Sequence, residues 1–264
     1  HLQGRLKPYI LRRSKQEVAS ELPSKTEVTH YIDLTSAQRD RYETLRLAMD
    51  KKVRDEIQRV GIARSHIAVL EALLRLRQVC GDLRLLSAAD AEKYSSQDSA
   101  KMLHLLEMLR SFTAAGRRIL VFSQFTSMLS LIAQELTAAE IDFVQLTGQT
   151  ADRRTPVARF QAEQVSVFLI SLKAGGVGLN LTAADTVIHV DPWWNPATEA
   201  QASDRAYRIG QTKPVTVYKL IARGSVEEKI QHLQQHKAAL ANSILAGGSS
   251  ASAALDDASI DALL

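Results

Sequence analysis

From Ser99 onward, short apolar and β-branched runs alternate with stretches of helical periodicity, and this rhythm restricts the fold more than any other feature of the chain. The runs are RILVF (118–122), FVQL (143–146), VFLISL (167–172), TVIHV (186–190) and VTVYKL (215–220). Helical patterns lie between and after them at 126–139, 151–163, 196–209 and 225–243. Strands separated by helices are joined by right-handed crossovers, which predicts an α/β fold with a parallel sheet and helices on both faces. The near-continuous apolar character of VFLISL is what a strand buried on both faces requires.

Upstream of this region the pattern changes. Residues 1–25 read as a basic connector with a short helical stretch, closed by Leu22-Pro23, and residues 26–34 alternate as a strand does. Thr35 and Gln38 form the signature of a capping box, so a helix begins there. Tyr42, Leu45, Met49, Val53 and Ile57 carry it forward at helical spacing until Gly61 breaks it. A second helix is expected over 62–80 and a loop over 81–98. The expected organisation is a connector (1–25), a strand with a helical insertion and loop (26–98), the α/β lobe (99–246) and a flexible tail (247–264).

Composition removes several classes of function. The single cysteine, Cys80, excludes an internal disulfide and a multi-cysteine zinc site, and suits a reducing compartment. His232 and His236 lie four apart without the glutamate of a zinc-peptidase helix, so no metal site is expected there. No apolar run approaches the ~20 residues that span a bilayer, and no signal peptide is visible. A first residue of His rather than Met suggests a piece of a longer protein. The net charge of +4 is a weak pointer to a polyanion, but its placement is informative: residues 1–81 carry 16 Lys/Arg against 10 Asp/Glu.

In parallel sheets ligands sit beyond the carboxyl ends of the strands, so the segments that follow the runs are the candidate sites. After 167–172 comes SLKAGGVGLNL (171–181), where Gly175, Gly176 and Gly178 free a turn to approach a phosphate or nucleotide. A bare α/β turn would look the same. After 186–190 comes DPWWNPATEAQASDRAYRIGQ (191–211), in which Asn195-Pro196 starts a helix and Gly210 stops it. On one continuous helix Gln201, Arg205 and Arg208 would fall within about 60° of one another. They would then form either an anion site or a solvated face paired with Glu199 and Asp204. Ser123 and Gln124 follow the first run. Gly148 and Thr150 precede a helix bearing Arg153 and Arg154, where a nucleic-acid phosphate or ordinary capping would fit equally.

Taken together these segments resemble one family, the Swi/Snf-like branch of the superfamily-two helicase-type ATPases, and within it the C-terminal, RecA-like lobe of the P-loop NTPase type. LRRSK (11–15) and ELPSK (21–25) resemble its entry to the second lobe, and ILVFSQF (119–125) resembles motif IV. GQTADRRTPVARF (148–160) is similar to the segment that follows. SLKAGGVGLNLTAAD (171–185) resembles motif V, DPWWNP (191–196) the D-x-x-W-N-P block, and QASDRAYRIGQ (201–211) motif VI. SVEEKIQHLQQHKAALANSIL (225–245) is similar to the lobe's closing helix. Tyr207, where the family often has histidine, and the doubled Trp193 are small departures.

The resemblance implies that Arg205 and Arg208 act as arginine fingers on ATP, with Gln201 beside them. It implies nucleotide contacts for Gly176, Gly178 and Asn180. It also implies a path along the DNA backbone for Ser123, Gln124, Gly148, Thr150, Ser171 and Trp194, to which Arg153 is added as a phosphate-facing side chain. ATP and Mg2+ would be held mainly by an N-terminal RecA-like lobe, because no Gly-Lys-Ser/Thr loop occurs here and Asp55-Glu56 is not a magnesium-binding box. This chain alone is therefore expected not to hydrolyse ATP. The implied partners are double-stranded DNA, the first lobe and a DNA-bound cargo such as RNA polymerase, without a membrane. The Ala- and Gln-rich composition favours a bacterial source and the nucleoid-associated cytoplasm; a eukaryotic source would imply the nucleus. Two alternatives stand beside this reading: a non-motor module that binds DNA or RNA polymerase, and an unrelated nucleotide-binding α/β enzyme.

Overall fold

The computed structural model describes residues 22–61, 64–175 and 178–245. Most of the connector, Gly176, the His236 side chain and the 247–264 tail lie outside the described residues. In chain order the elements are β1 (Lys25–Ile32), α1 (Ser36–Val60), α2 (His66–Gly81), α3 (Ala88–Lys93), α4 (Ala100–Ala114) and β2 (Ile119–Ser123). There follow α5 (Thr126–Ala138), β3 (Phe143–Leu146), α6 (Arg154–Gln161), β4 (Val167–Ser171), α7 (Leu172–Gly175) and β5 (Thr186–His189). The last three are α8 (Pro196–Ser203), β6 (Val215–Ala222) and α9 (Val226–Leu245).

All six strands are parallel, in the order β1-β6-β5-β2-β4-β3. This is the α/β fold with a parallel sheet that the alternation of runs and helices predicts. The interior strands β2, β4 and β5 are buried along their whole length, as their unbroken apolar runs require. Successive side chains point to opposite faces, so each strand feeds two cores. Ile119 and Val121 join Met102, Leu105 and Leu109 of α4 and Leu129, Ile132 and Leu136 of α5 on one face. Leu120 and Phe122 join Phe160, Leu181, Ala202 and Ala206 on the other.

The helical insertion has its own apolar centre, in which Tyr42 and Val53 of α1 meet Val69, Leu73 and Leu76 of α2 and Val226 and Ile230 of α9. The capping box at its start is present, with the Gln38 amide donating to the Thr35 hydroxyl at 3.2 Å and the Thr35 amide facing Gln38 Oε1 at 3.5 Å. The buried Gln38 side chain also ties α1 to its neighbours, donating to the Val79 carbonyl and accepting from the Ala100 amide.

Two expectations need correction. The segment 81–98 is not an extended loop: it holds α3 and two single 3-10 turns, Leu83–Leu85 and Ser96–Asp98, each opened by an Asp or Ser side chain that caps its own turn. The helix expected over 196–209 stops at Ser203. Beyond it the chain tightens into i→i−3 turns, Arg205 to Ala202 and Ala206 to Ser203, and the carbonyls that follow are taken by other groups. The Arg205 carbonyl accepts from the Leu181 amide at 3.0 Å, and the Ala206 carbonyl accepts from the Gln211 side chain at 3.0 Å. Gln201, Arg205 and Arg208 therefore do not share one helical stripe.

Candidate nucleotide and nucleic-acid site

The predicted site residues fall into two groups. The first lies where β2, β4 and β5 end. Ser123 and Ser171 are partners in the β2–β4 register, so the two strand-end hydroxyls are neighbours across the sheet. Both are buried, and their oxygens act within the fold. Ser123 donates to the Asp191 carboxylate and accepts from the Phe125 amide at 3.0 Å, whereas Ser171 accepts from the Ala174 amide at the start of α7. Both hydroxyls are enclosed, Ser123 completely and Ser171 nearly so.

Those loops are tied to the rest of the fold by ionic and polar bonds. Gln124 donates its amide to Asp191 at 3.1 Å, and its side-chain oxygen accepts from Arg77 of α2 at 2.9 Å. Arg77 also donates to the Pro192 carbonyl, lies 3.7 Å from the Asp191 carboxylate and sits 5.7 Å from the ring centres of both Phe125 and Trp194. Trp194 is half-buried under this guanidinium. Burial pushes the Asp191 carboxyl up from its ordinary value, against the opposing pull of Arg77 and the Ser123 hydroxyl. A second buried pair lies beneath: Lys101 of α4 meets Glu227 of α9 at 2.6 Å, with both side chains fully enclosed. The Lys101 ammonium also donates to the Val190 carbonyl at 2.7 Å.

On the far side of this group, Gly148 is exposed and Thr150 is half-buried, its hydroxyl accepting from the Thr147 amide at 2.9 Å. Arg153 reaches back to the Ala174 carbonyl at 2.7 Å and so joins the 147–153 turn to α7. The amides that open α6 are not vacant for a phosphate. Asp152, one residue ahead of the N-cap Arg153, accepts from the backbone of Arg154 at 2.9 Å and of Thr155 at 3.2 Å.

The second group is built from the segments that follow α7 and α8. The segments 178–184 and 204–211 are stitched together by the Leu181–Arg205 backbone bond and by the Gln211 side chain, which donates to Thr182 at 3.1 Å and Ala184 at 2.7 Å. Those two carbonyls precede β5, so the stitch closes toward the amino ends of the strands. Arg205 is buried, whereas Gln201, Arg208, Asn180 and Gly178 are exposed. Gly178 has φ +52°, a conformation that favours glycine, while a β-carbon there would meet nothing within 4 Å. The backbone conformation, rather than a close neighbour, calls for glycine.

Between the groups, α8 is anchored by buried polar side chains. Asn195 caps it, accepting from the Ala197 amide, and Pro196 occupies its first turn, as the sequence predicts. Glu199 accepts from the Trp193 amide at 2.6 Å and pairs with Lys219 at 3.2 Å. His189 meets the Ser203 hydroxyl at 2.9 Å, and burial lowers its pKa to about 4. Sequence reasoning missed Arg77, Lys101, Asp152, Asp191, Glu199 and Glu227 as members of these networks. The visible signal was a charged residue interrupting an apolar pattern, as Lys101 does in AKMLHLL and Asp191 does after TVIHV.

Among the described residues no group of three or more His, Cys, Asp or Glu side chains is placed to hold a metal, and no helix is long and apolar enough to cross a membrane. Residues 100–210 match the helicase conserved C-terminal domain, and residues 1–85 match the SNF2-related domain. The C-terminal domain of the Sulfolobus solfataricus SWI2/SNF2 ATPase is similar with a TM-score of 0.67 and 31% identity, over 86% of this chain and 91% of that one. The same ATPase core in complex with double-stranded DNA gives a TM-score of 0.71 and 34% identity, over 94% of this chain and 52% of that one. Among curated proteins, the DNA excision repair protein CSB of Oryza sativa is 36% identical over 90% of this chain and 20% of its own length. The curated relatives are thus much longer, and the chain spans about a quarter of their length or less.

A parallel α/β sheet matched to the helicase C-terminal domain defines the RecA-like second lobe of a helicase-type ATPase. The relatives narrow this further: the chain belongs to the SWI2/SNF2 family and corresponds to its C-terminal ATPase lobe.

Proposed function

We propose that this chain is the second motor lobe of an ATP-dependent double-stranded DNA translocase that remodels protein–DNA complexes. The observation that carries the reading is the stitch between 178–184 and 204–211, which brings the Gly178–Asn180 turn and the Arg205–Arg208 turn into one unit. Exposed Gln201, Asn180 and Arg208 offer hydrogen-bond donors suited to a phosphate-rich ligand. In this reading Arg205 and Arg208 are arginine fingers, and Gln201, Asn180 and the backbone at Gly176 and Gly178 line the nucleotide from this side. ATP with Mg2+, held mainly by the N-terminal lobe, supplies the phosphoryl group to be transferred to water.

The carboxyl-rim loops with Gln124, Gly148, Thr150, Arg153 and Trp194 face the DNA backbone, while Ser123 and Ser171 hold those loops in place. Support for duplex DNA as the track comes from the related core seen in complex with it. Closure of the two lobes around nucleotide favours one conformation over the other and so moves the rim along the duplex. The cargo is a DNA-bound protein, RNA polymerase being one that this engine would serve. In a bacterium the site of action is the nucleoid, and in a eukaryote the nucleus. The chain alone, without a phosphate-binding loop, does not turn over ATP.

The test is DNA-stimulated ATP turnover in the protein with both lobes. Arg208→Ala is expected to lower it by about 10³–10⁵, the contribution of an arginine finger. Turnover within a few-fold of the unmodified protein would defeat the assignment.

A further inference from the structure

Arg77, on α2 of the helical insertion, reaches the carboxyl rim while being 2% exposed. It touches both rim loops at once: Gln124 and Phe125 after β2, and Asp191, Pro192 and Trp194 after β5. A guanidinium has only donors, so the atom of the Gln124 carboxamide that faces it must be the oxygen. Gln124 Nε2, on the other side of the carboxamide, is enclosed and has no hydrogen-bond partner among the described residues. An enclosed amide donor without a partner is costly unless something else accepts from it.

We propose that Arg77 is a positioning residue for DNA coupling, which holds the Gln124 carboxamide in one orientation and locks the two rim loops into one unit. This rests on the motor reading above and deepens it. DNA engaged by the 123–125 loop is thereby felt at 190–195, the segment that leads directly into α8 and on to the arginine-bearing turn. The insertion is then part of the coupling machinery and more than a covering for the lobe.

The experiment uses the protein with both lobes and compares Arg77→Met with Arg77→Lys, which keeps a donor for the Gln124 oxygen. A double variant, Arg77→Met with Asp191→Asn, removes the buried carboxylate left unpaired if the single variant folds poorly. Two readouts are taken: amide hydrogen exchange, and the ratio of DNA-stimulated to DNA-free turnover. Expected in Arg77→Met is exchange faster by about tenfold in both 123–126 and 191–195, with β2, β5 and α4 as protected as before. The turnover ratio is expected to fall about tenfold, and Arg77→Lys to recover part of it. Unchanged exchange in either loop overturns the proposal. So does loosened exchange with the ratio kept, or a proportional fall of both rates, which marks a merely structural role. Failure of the motor reading itself would appear separately, as an unmodified protein whose turnover ignores DNA.

Discussion

Replacing Lys101 by methionine gives the most direct measure of what the buried ion pairs contribute. The substitution keeps the length of the side chain and removes the ammonium that lies 2.6 Å from Glu227 and 2.7 Å from the Val190 carbonyl. Glu227 then keeps only the Ala222 amide, at 2.9 Å, as a described hydrogen-bond partner in a fully enclosed position. Removing one member of a buried pair costs about 3–5 kcal/mol, because the remaining charge is neither solvated nor paired. For a domain of this size that is a fall in Tm of roughly 6–20 °C. The pH dependence gives an independent check. Burial already raises the Glu227 carboxyl, with Lys101 the chief opposing influence, so loss of Lys101 raises it further. A carboxyl whose folded pKa is raised stays protonated when folded but ionises when unfolded, and stability is lost as pH rises above the unfolded value of about 4.5. The deficit should therefore be largest near pH 8 and shrink toward pH 5. The assay is urea unfolding of the lobe at several pH values, and a related C-terminal domain with its own solved structure makes the isolated lobe a reasonable sample. Adding Glu227→Gln to Lys101→Met should restore most of the loss. A deficit below about 1 kcal/mol at pH 8, or no recovery in the double variant, would refute the reasoning.

Two further outcomes follow from the geometry. Gly178→Ala should destabilise the lobe by about 1–2 kcal/mol through its positive φ alone, since the new methyl meets open space; unfolding midpoints of Gly178→Ala and Gly178→Asn, the latter more tolerant of this conformation, would show the difference. His189 is neutral when folded, with a pKa lowered to about 4 against 6.5 in its ordinary state, so it contributes stability that is present above about pH 6.5 and lost as pH falls toward 4. Thermal melts between pH 7 and 4.5 should show this loss, and His189→Gln should flatten that part of the profile.

The legible parts of the fold are those written in local sequence. Apolar, β-branched runs mark β2 to β6 to within a residue or two: in β2, β4 and β5 burial on both faces leaves no polar alternation, whereas β3 is half-buried at alternate positions. Thr35 with Gln38 and Asn195 with Pro196 mark helix starts because caps are made by neighbours in the chain. The end of α8 was not legible, since the turns that follow it are held by Leu181 and Gln211, which bond the Arg205 and Ala206 carbonyls from other segments. For the same reason, the stripe assumed for Gln201, Arg205 and Arg208 is absent. The partners of Arg77 and Lys101 were equally hidden: Pro192 and Glu227 are far away in the chain, and no spacing rule connects them. Asp152 accepts from the first amides of α6 by means that are local, and its position two residues before the helix is the signal that could have found it.

The placement of β1 has a mechanical consequence. This strand enters from the first part of the chain yet pairs with β6, the last strand, in an eight-residue parallel register from Lys25↔Val215 to Ile32↔Ala222. Any pull on the chain ahead of Lys25 runs along the strand axis. The ladder between the two strands meets it in shear, all its bonds at once, rather than being unzipped one rung at a time. A lobe hauled through its amino-terminal strand is thus gripped at its edge by the strand that completes its sheet.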